Sequence, residues 1–368
     1  MAKAKSKSIL TDNSYKFLRE YINNPSPTGF ESSGQKLWIK YITKYVQKVF
    51  TDPYGTAVGV INPDAPFKVV IEAHADEISW FVNYISSDGL IYLKRNGGVD
   101  HQIAPSKRVL IHTKKGIVKA VFGWPAIHTR IGNADTKEPQ PKVDNLFLDC
   151  GARNKKEVQA LGIHIGAVVT YEDGYDELAH DFLIGRAFDN RIGGFMIAEV
   201  ARLLKENSKK LPYGLYIVNA VQEEIGLRGS EMIARRIKPD VAIITDVTHD
   251  STTPMINKIV EGECECGKGP SLCYGPAVHN KLLDFVQDVA EKNKIHVQLR
   301  TVSRSTGTDT ESFAYANDGC PSVLISIPLR YMHTTVEMIH KSDIEDTIKL
   351  MYNTLIALNP KTNLTYFS

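Results

Sequence analysis

Cysteine is scarce: five residues in 368, an odd number and too few to frame a chain of this length with disulfides. That scarcity points to a reducing compartment, and the cytoplasm is the expected location. Long apolar runs are missing too. No stretch approaches the roughly 20 residues needed to cross a bilayer, so no membrane partner is expected. The basic start, MAKAKSKSIL, lacks the apolar segment of a secretory signal and reads as a short disordered tail. Nor does charge of one sign accumulate. Lys and Arg number 44 against 42 Asp and Glu, without the basic excess that nucleic-acid binding requires. Internal repeats and low-complexity segments are absent. The remaining composition is that of an ordinary globular protein, long enough for one large or two ordinary domains with a sizeable core.

Periodicity divides the chain. Helical spacing predicts helices over residues 12–24 and 32–49, and apolar runs predict strands over 57–61 and 68–73. From about residue 78 to 169 the texture changes to short β-like runs (90–93, 108–112, 117–122) separated by turn pairs such as Asp88-Gly89 and Gly97-Gly98. This is how a small barrel or sandwich reads, with one helix at 155–161. Strand–helix alternation then resumes. Strands are expected at 182–186, 215–221, 241–245 and 321–327, and helices at 191–206, 230–236, 280–293 and 343–358. The expected fold is α/β: an open, doubly wound sheet with helices on both faces, carrying an inserted small β-barrel. The divisions are 1–76 and 173–368 for the sheet domain and 77–172 for the insert.

One stretch draws the rest together. VNAVQEEIGLRGS is an apolar, β-branched run that ends in two adjacent acids, Glu223 and Glu224. Adjacent carboxylates repel, and one needs a cation or a proton to remain there at neutral pH. His74, Asp189, Asp246 and His333 likewise fall at or just past expected strand ends. In a doubly wound sheet those ends share one edge, where ligands bind. Converging buried carboxylates without a cation would cost several kcal/mol, so a metal site is the economical reading. Two imidazoles and several carboxylates, with no thiolate, suit Zn²⁺, Co²⁺ or Mn²⁺. The acids are too many for one catalytic ion and suit two, roughly 3.5–4 Å apart. Asp76, two residues after His74, would face the same way on a strand and accept a hydrogen bond from the imidazole. Of Glu223 and Glu224, one can ligate while the other serves as a general base, which points to hydrolysis.

The segments PSPTGFE, EAHADEI, IGRAFDNRIGG, VQEEIGLRGS, ITDVTHD and SIPLRYMHTTVEM, in this order, resemble the M42 family of dinuclear metalloaminopeptidases. The resemblance implies two divalent metal ions, with Asp189 bridging both. His74 and Asp246 would complete one site, and Glu224 and His333 the other. It further implies Glu223 as general base, Asp76 as the residue orienting His74, peptide substrates with a free N-terminus, and a homo-oligomer built from barrel-joined dimers, up to a dodecamer. Three departures stand out. Ser79-Trp80 follow Asp-Glu-Ile where the family usually has Gly, Asn190 follows Asp189 where Asp is frequent, and residues 304–310 replace a Gly-Gly-Gly-Thr-Asp-Ala run. The last bears on side-chain preference, for which Arg304 and Asp309 are candidates of opposite sign.

Other readings carry less. A dinuclear deacylase acting on N-acyl substrates would use a similar metal set. A two-carboxylate glycosidase fits adjacent acids beside two His poorly, and a scaffold without catalysis would have no use for a free base such as Glu223. Cys264, Cys266 and Cys273 resemble part of a zinc knuckle without a fourth ligand, and buried reduced thiols are the simpler reading. His249 and His340 are expected at supporting or surface positions.

Overall fold

The structure is a computed structural model that describes residues 8–130 and 139–367. Most of the expected disordered tail lies outside the described residues. Its last three residues are ordered: Ser8 Oγ donates to Glu345 Oε1 at 2.6 Å, and Leu10 is buried.

Four parallel strands form the centre of an eight-stranded sheet, in the order Gly214–Ala220, Lys68–His74, Val241–His249 and Ser322–Leu329. Their residues are buried almost without interruption, as expected of parallel strands covered on both faces. Lys48–Thr51 and Ala57–Ile61 extend one side of the sheet antiparallel, and Ser271–Tyr274 and Gln298–Thr301 extend the other. Helix Phe188–Glu206 packs on strand Lys68–His74 together with helices Asp12–Asn23, Ser32–Ile42 and Lys341–Ala357. Helices Arg228–Ile237 and Thr310–Ala314 form a second packed group.

Between Ser79 and Tyr171, six antiparallel strands close into a barrel with its own core. Trp80 lies at its centre, edge-on to Phe122 at 5.5 Å and donating to the Tyr171 hydroxyl at 3.3 Å. The Ser79-Trp80 departure therefore serves the barrel.

The structure corrects three expectations. The helix expected over 32–49 ends at Ile42, and Lys48–Thr51 is an edge strand. Asp52 Oδ1 accepts from the N–H groups of Tyr54, Gly55 and Thr56 at 2.7–3.0 Å, and this turn folds residues 48–51 back onto Ala57–Ile61. Strand Phe182–Gly185 belongs to a separate three-stranded sheet with Asp176–Glu177 and Glu337–His340. The strand expected over 241–245 continues to His249, because Val247 and Thr248 keep the β-branched character going.

Where helix Phe188–Glu206 meets the sheet, Gly193 allows the contact. A Cβ there would run into Asn190 Oδ1 and come within 2.8 Å of the Ala73 Cβ. Asn190 holds the junction by donating to Thr245 O at 2.8 Å and accepting from Gly193 N at 3.1 Å. Gly193→Ala should therefore destabilise the fold by about 1–3 kcal/mol, read as a lower urea midpoint. An unchanged midpoint would mean that the interface is looser than these distances.

Candidate metal centre

Two carboxylates hold the acid turn by its backbone. Beyond strand Gly214–Ala220, Gln222 adopts a left-handed conformation (φ 59°), unfavourable for a residue with a side chain. Its N–H donates to Glu31 Oε1 at 3.2 Å. The next two N–H groups, of Glu223 and Glu224, donate to the two oxygens of Asp76 at 3.0 and 3.2 Å. Thr28 Oγ1 adds a third bond to Asp76 at 2.9 Å. Asp76 lies past the end of its strand, and its Oδ1 is 3.4 Å from His74 Nδ1, long for a hydrogen bond. The expected orienting contact is present but long, and the shorter bonds of Asp76 go to the acid turn.

All the expected site residues come together, by different routes. His74 ends strand Lys68–His74. Asp246 lies inside strand Val241–His249, not past its end; with Ile244 paired to Glu72, it stands two residues along from that pair, as His74 does. Asp189 comes from the irregular first turn of helix Phe188–Glu206, so the strand before it does not reach the shared edge. His333 follows strand Ser322–Leu329, in a loop where its φ is 61°.

Asp189 lies between the imidazoles. Its Oδ1 is 3.2 Å from His74 Nε2 and its Oδ2 is 3.3 Å from His333 Nε2. Two ligand sets share it: His74, Asp189 and Asp246, and Asp189, Glu224 and His333. Glu223 falls outside both, with Oε2 3.8 Å from His74 Nε2. A third grouping, of His74, Glu223 and Glu224, is also close enough to hold an ion. This donor set fits a pair of borderline divalent cations. The five cysteines, four buried and Cys150 half-buried, play no part in it; all are free, and burial holds the Cys264 thiol up at about 12.

The charges are strongly coupled. Burial, opposed by His74 and reinforced by Asp309, Asp246 and Glu224, pushes the Glu223 carboxyl up to about 11. Burial and the charge of Asp189 raise Glu224 to about 8, and burial, opposed by His74, raises Asp246 to about 8. Burial would neutralise His333, but Asp189 and Glu224 hold its proton up to about 10. Asp189 falls below the usual carboxylate range despite its burial, because both imidazoles donate to it.

Three supporting residues escaped the sequence reading. Glu337 accepts from the backbone of Asp189 at 3.0 Å and of His333 at 2.9 Å, fixing two prospective ligands at once. Glu31 steadies Gln222. Gly98 O, in the loop after barrel strand Ile91–Asn96, accepts from His333 Nδ1 at 3.0 Å. Glu31 and Glu337 stand inside the motifs quoted above, but backbone hydrogen bonding leaves no spacing signature. The site opens into a cavity of about 480 Å³, which Leu227, His249, Arg300, Thr306, Thr308 and Met332 also line. Arg304 and Asp309 do not line it. Arg304 is exposed, and Asp309 turns inward to accept from Ser230 Oγ. His340 caps helix Lys341–Ala357, accepting from Ser342 N at 3.2 Å.

Residues 55–350 match the family described as M42 glutamyl aminopeptidase. A lysyl aminopeptidase of Pyrococcus furiosus is 32% identical over 349 residues, covering 94% of this chain and 98% of that relative. A glutamyl aminopeptidase of Lactococcus lactis is 29% identical over 273 residues, covering 73% and 74%. Among solved structures, a TET aminopeptidase from a marine sediment archaeon of the Thaumarchaeota superposes with a TM-score of 0.90 at 28% identity, over 95% of this chain and 98% of that one.

Metal loading should release protons. In the cation-free protein Glu224 and Asp246 hold protons below about pH 8, and His333 and Glu223 hold theirs up to about 10 and 11. A ligand must shed its proton to bind. Zn²⁺ uptake at pH 7 should release more protons than uptake at pH 9, and affinity should fall as the pH falls. Calorimetric titration in two buffers of different ionisation enthalpy measures this; a heat independent of buffer at pH 7 would contradict the electrostatics described.

Proposed function

The chain belongs to the M42 glutamyl aminopeptidase family and is a peptide-bond hydrolase; from that premise we propose that it removes N-terminal residues from peptides with the help of two divalent metal ions. The observation that carries this is the pair of ligand sets sharing Asp189, with Glu223 left over beside them. We assign His74, Asp189 and Asp246 to one ion and Asp189, Glu224 and His333 to the other, with Zn²⁺ or Co²⁺ the first choices and Mn²⁺ compatible. When bound, such ions supply the Lewis acidity that polarises a scissile carbonyl and makes water easier to deprotonate.

The chain's own residues do the rest. Glu223 Oε2 faces the cavity from a largely buried side chain, 11% exposed, and takes the proton from the attacking water. It then returns the proton to the departing amine. Cations at the two ligand sets would oppose the effect of burial and free this carboxylate to accept a proton. Asp76 positions the base by holding the N–H groups of Glu223 and Glu224. Glu337 keeps Asp189 and His333 facing each other.

The division into an insert (77–172) and a sheet domain (1–76 and 173–368) accompanies this reading, as do a cytoplasmic location and a homo-oligomer. Ile117, Val121 and Ile165 remain exposed on the barrel and support its use as a dimer surface. Among the described residues no helix is long and apolar enough to cross a membrane.

The grouping of His74, Glu223 and Glu224 favours one rival assignment, with Glu223 as a ligand. Glu223→Gln separates the two. As a base, its loss should lower kcat at least 10³-fold while two metal equivalents per chain remain by atomic emission; loss of metal would make Glu223 a ligand. Asp189→Asn should empty both sites, and retention of two tightly held ions would refute the bridge. Blocking the substrate's α-amine with an acyl group should abolish hydrolysis, whereas a deacylase would prefer the blocked form.

A further inference from the structure

We infer that the inserted barrel supports the proposed ion of Asp189, Glu224 and His333, and that Lys107 is the positioning residue through which it holds the loop carrying His333. The inference rests on the two-ion reading and adds a residue that stands outside the motifs quoted above. Lys107 immediately precedes barrel strand Arg108–Thr113 and belongs to neither ligand set.

The loop needs support from outside. It spans residues 331–336, between strands Ser322–Leu329 and Glu337–His340, and its base is closed by the backbone pair of Arg330 and Met338 at 2.9 and 3.1 Å. Tyr331 and His333 both adopt left-handed backbone, at φ 61° each, which residues with side chains disfavour. Within the loop, Thr334 Oγ1 donates to Tyr331 O at 2.6 Å. From the small sheet, Glu337 Oε1 accepts from His333 N at 2.9 Å. Two further bonds come from the barrel. Gly98 O accepts from His333 Nδ1, which leaves Nε2 free to ligate, and the Lys107 ammonium donates to Thr335 Oγ1. His333 is thus held by its backbone from the small sheet, and by its ring and its loop from the barrel.

Burial gives the lysine contact its weight. Thr335 is 2% exposed, so its hydroxyl oxygen has little access to water if the ammonium is withdrawn. A bond from a charged donor to a buried acceptor is also among the stronger ones. Lys107 is itself fixed by its backbone: its N–H donates to Ala104 O at 3.1 Å, and its carbonyl accepts from Phe122 N at 2.8 Å. Asp173 Oδ1 lies 3.7 Å from Lys107 Nζ and balances its charge. Asp173 follows the last barrel strand, Val168–Tyr171, so this ion pair does not depend on the loop. A lysine serving only Asp173 would be indifferent to a change at Thr335, and the two roles can be separated. The other ligand set, His74, Asp189 and Asp246, draws no residue from the loop. Loss of the Lys107 bond should therefore act on one ion and spare the other.

The test is calorimetric titration of Zn²⁺ into the cation-free full chain, on the wild type, Lys107→Met, Thr335→Val and the double variant. His333→Ala marks which step of the isotherm belongs to the ion of Asp189, Glu224 and His333. Lys107→Met and Thr335→Val should each weaken that step by about tenfold, the lower end of the range for partners that orient a metal ligand, and leave the other step unchanged. The double variant should bind no more weakly than either single one, since both changes remove the same bond. Lys107→Arg, which keeps a charged donor, should retain more of the affinity than Lys107→Met. Single effects that add in full, an equal loss at both steps, or an unchanged His333 step in Lys107→Met would overturn the inference and leave the two-ion reading standing. A wild type that takes up fewer than two ions overturns that reading and the inference together.

Discussion

The contact on which the site depends is the Asp189 carboxylate, one oxygen on each imidazole at 3.2 and 3.3 Å. His74 comes from the central sheet, Asp189 from the mouth of a helix and His333 from a loop, so no single element could place all three. Glu337 resolves this by bonding the backbone of both Asp189 and His333, and it reaches them from a strand of the small second sheet. The arrangement is costly. Left-handed backbone at Gln222 and His333 costs on the order of 1–3 kcal/mol each, and the carboxyls of Glu223, Glu224 and Asp246 are lifted far from their ordinary values. Charge-assisted bonds from Glu31, Asp76 and Glu337 to backbone offset part of that cost, and cations would relieve the rest.

The barrel is joined to this machinery. Asn96 Nδ2 donates to both Thr28 O and Ser79 Oγ at 2.8 Å. Thr28 in turn bonds Asp76, which holds the acid turn. Ser79 thus supplies an acceptor at the base of the barrel. Gly98 closes a second connection by accepting from His333, and a Cβ at that position would stand 2.8 Å from the imidazole. The barrel therefore touches the candidate site at two places, one through Asn96 and Thr28, the other through Gly98.

Much of this was legible in the sequence, for a physical reason. Buried parallel strands must be apolar and β-branched, so a His or acid at their ends stands out, and His74, Glu223 and Glu224 were placed by that contrast. The same contrast reaches Asp246 and Asp189, although the strand continues past Asp246 and the strand before Asp189 belongs to another sheet. It is silent on Glu31, Glu337 and Gly98, whose contributions are bonds to or from backbone and so leave no pattern of residue types. The helix expected over 32–49 failed for a related reason. Helical spacing persists beyond Ile42, but the Asp52 turn commits the following residues to pairing with Ala57–Ile61.

The two walls of the cavity differ in origin, and that difference has a consequence. The prospective metal ligands come largely from the innermost strands and the helix packed on them, where a change in one side chain disturbs several neighbours. Arg300 comes from the outermost strand, paired on one side only and alternating between half-buried and exposed residues. The ligand-bearing wall is therefore the more tightly constrained of the two.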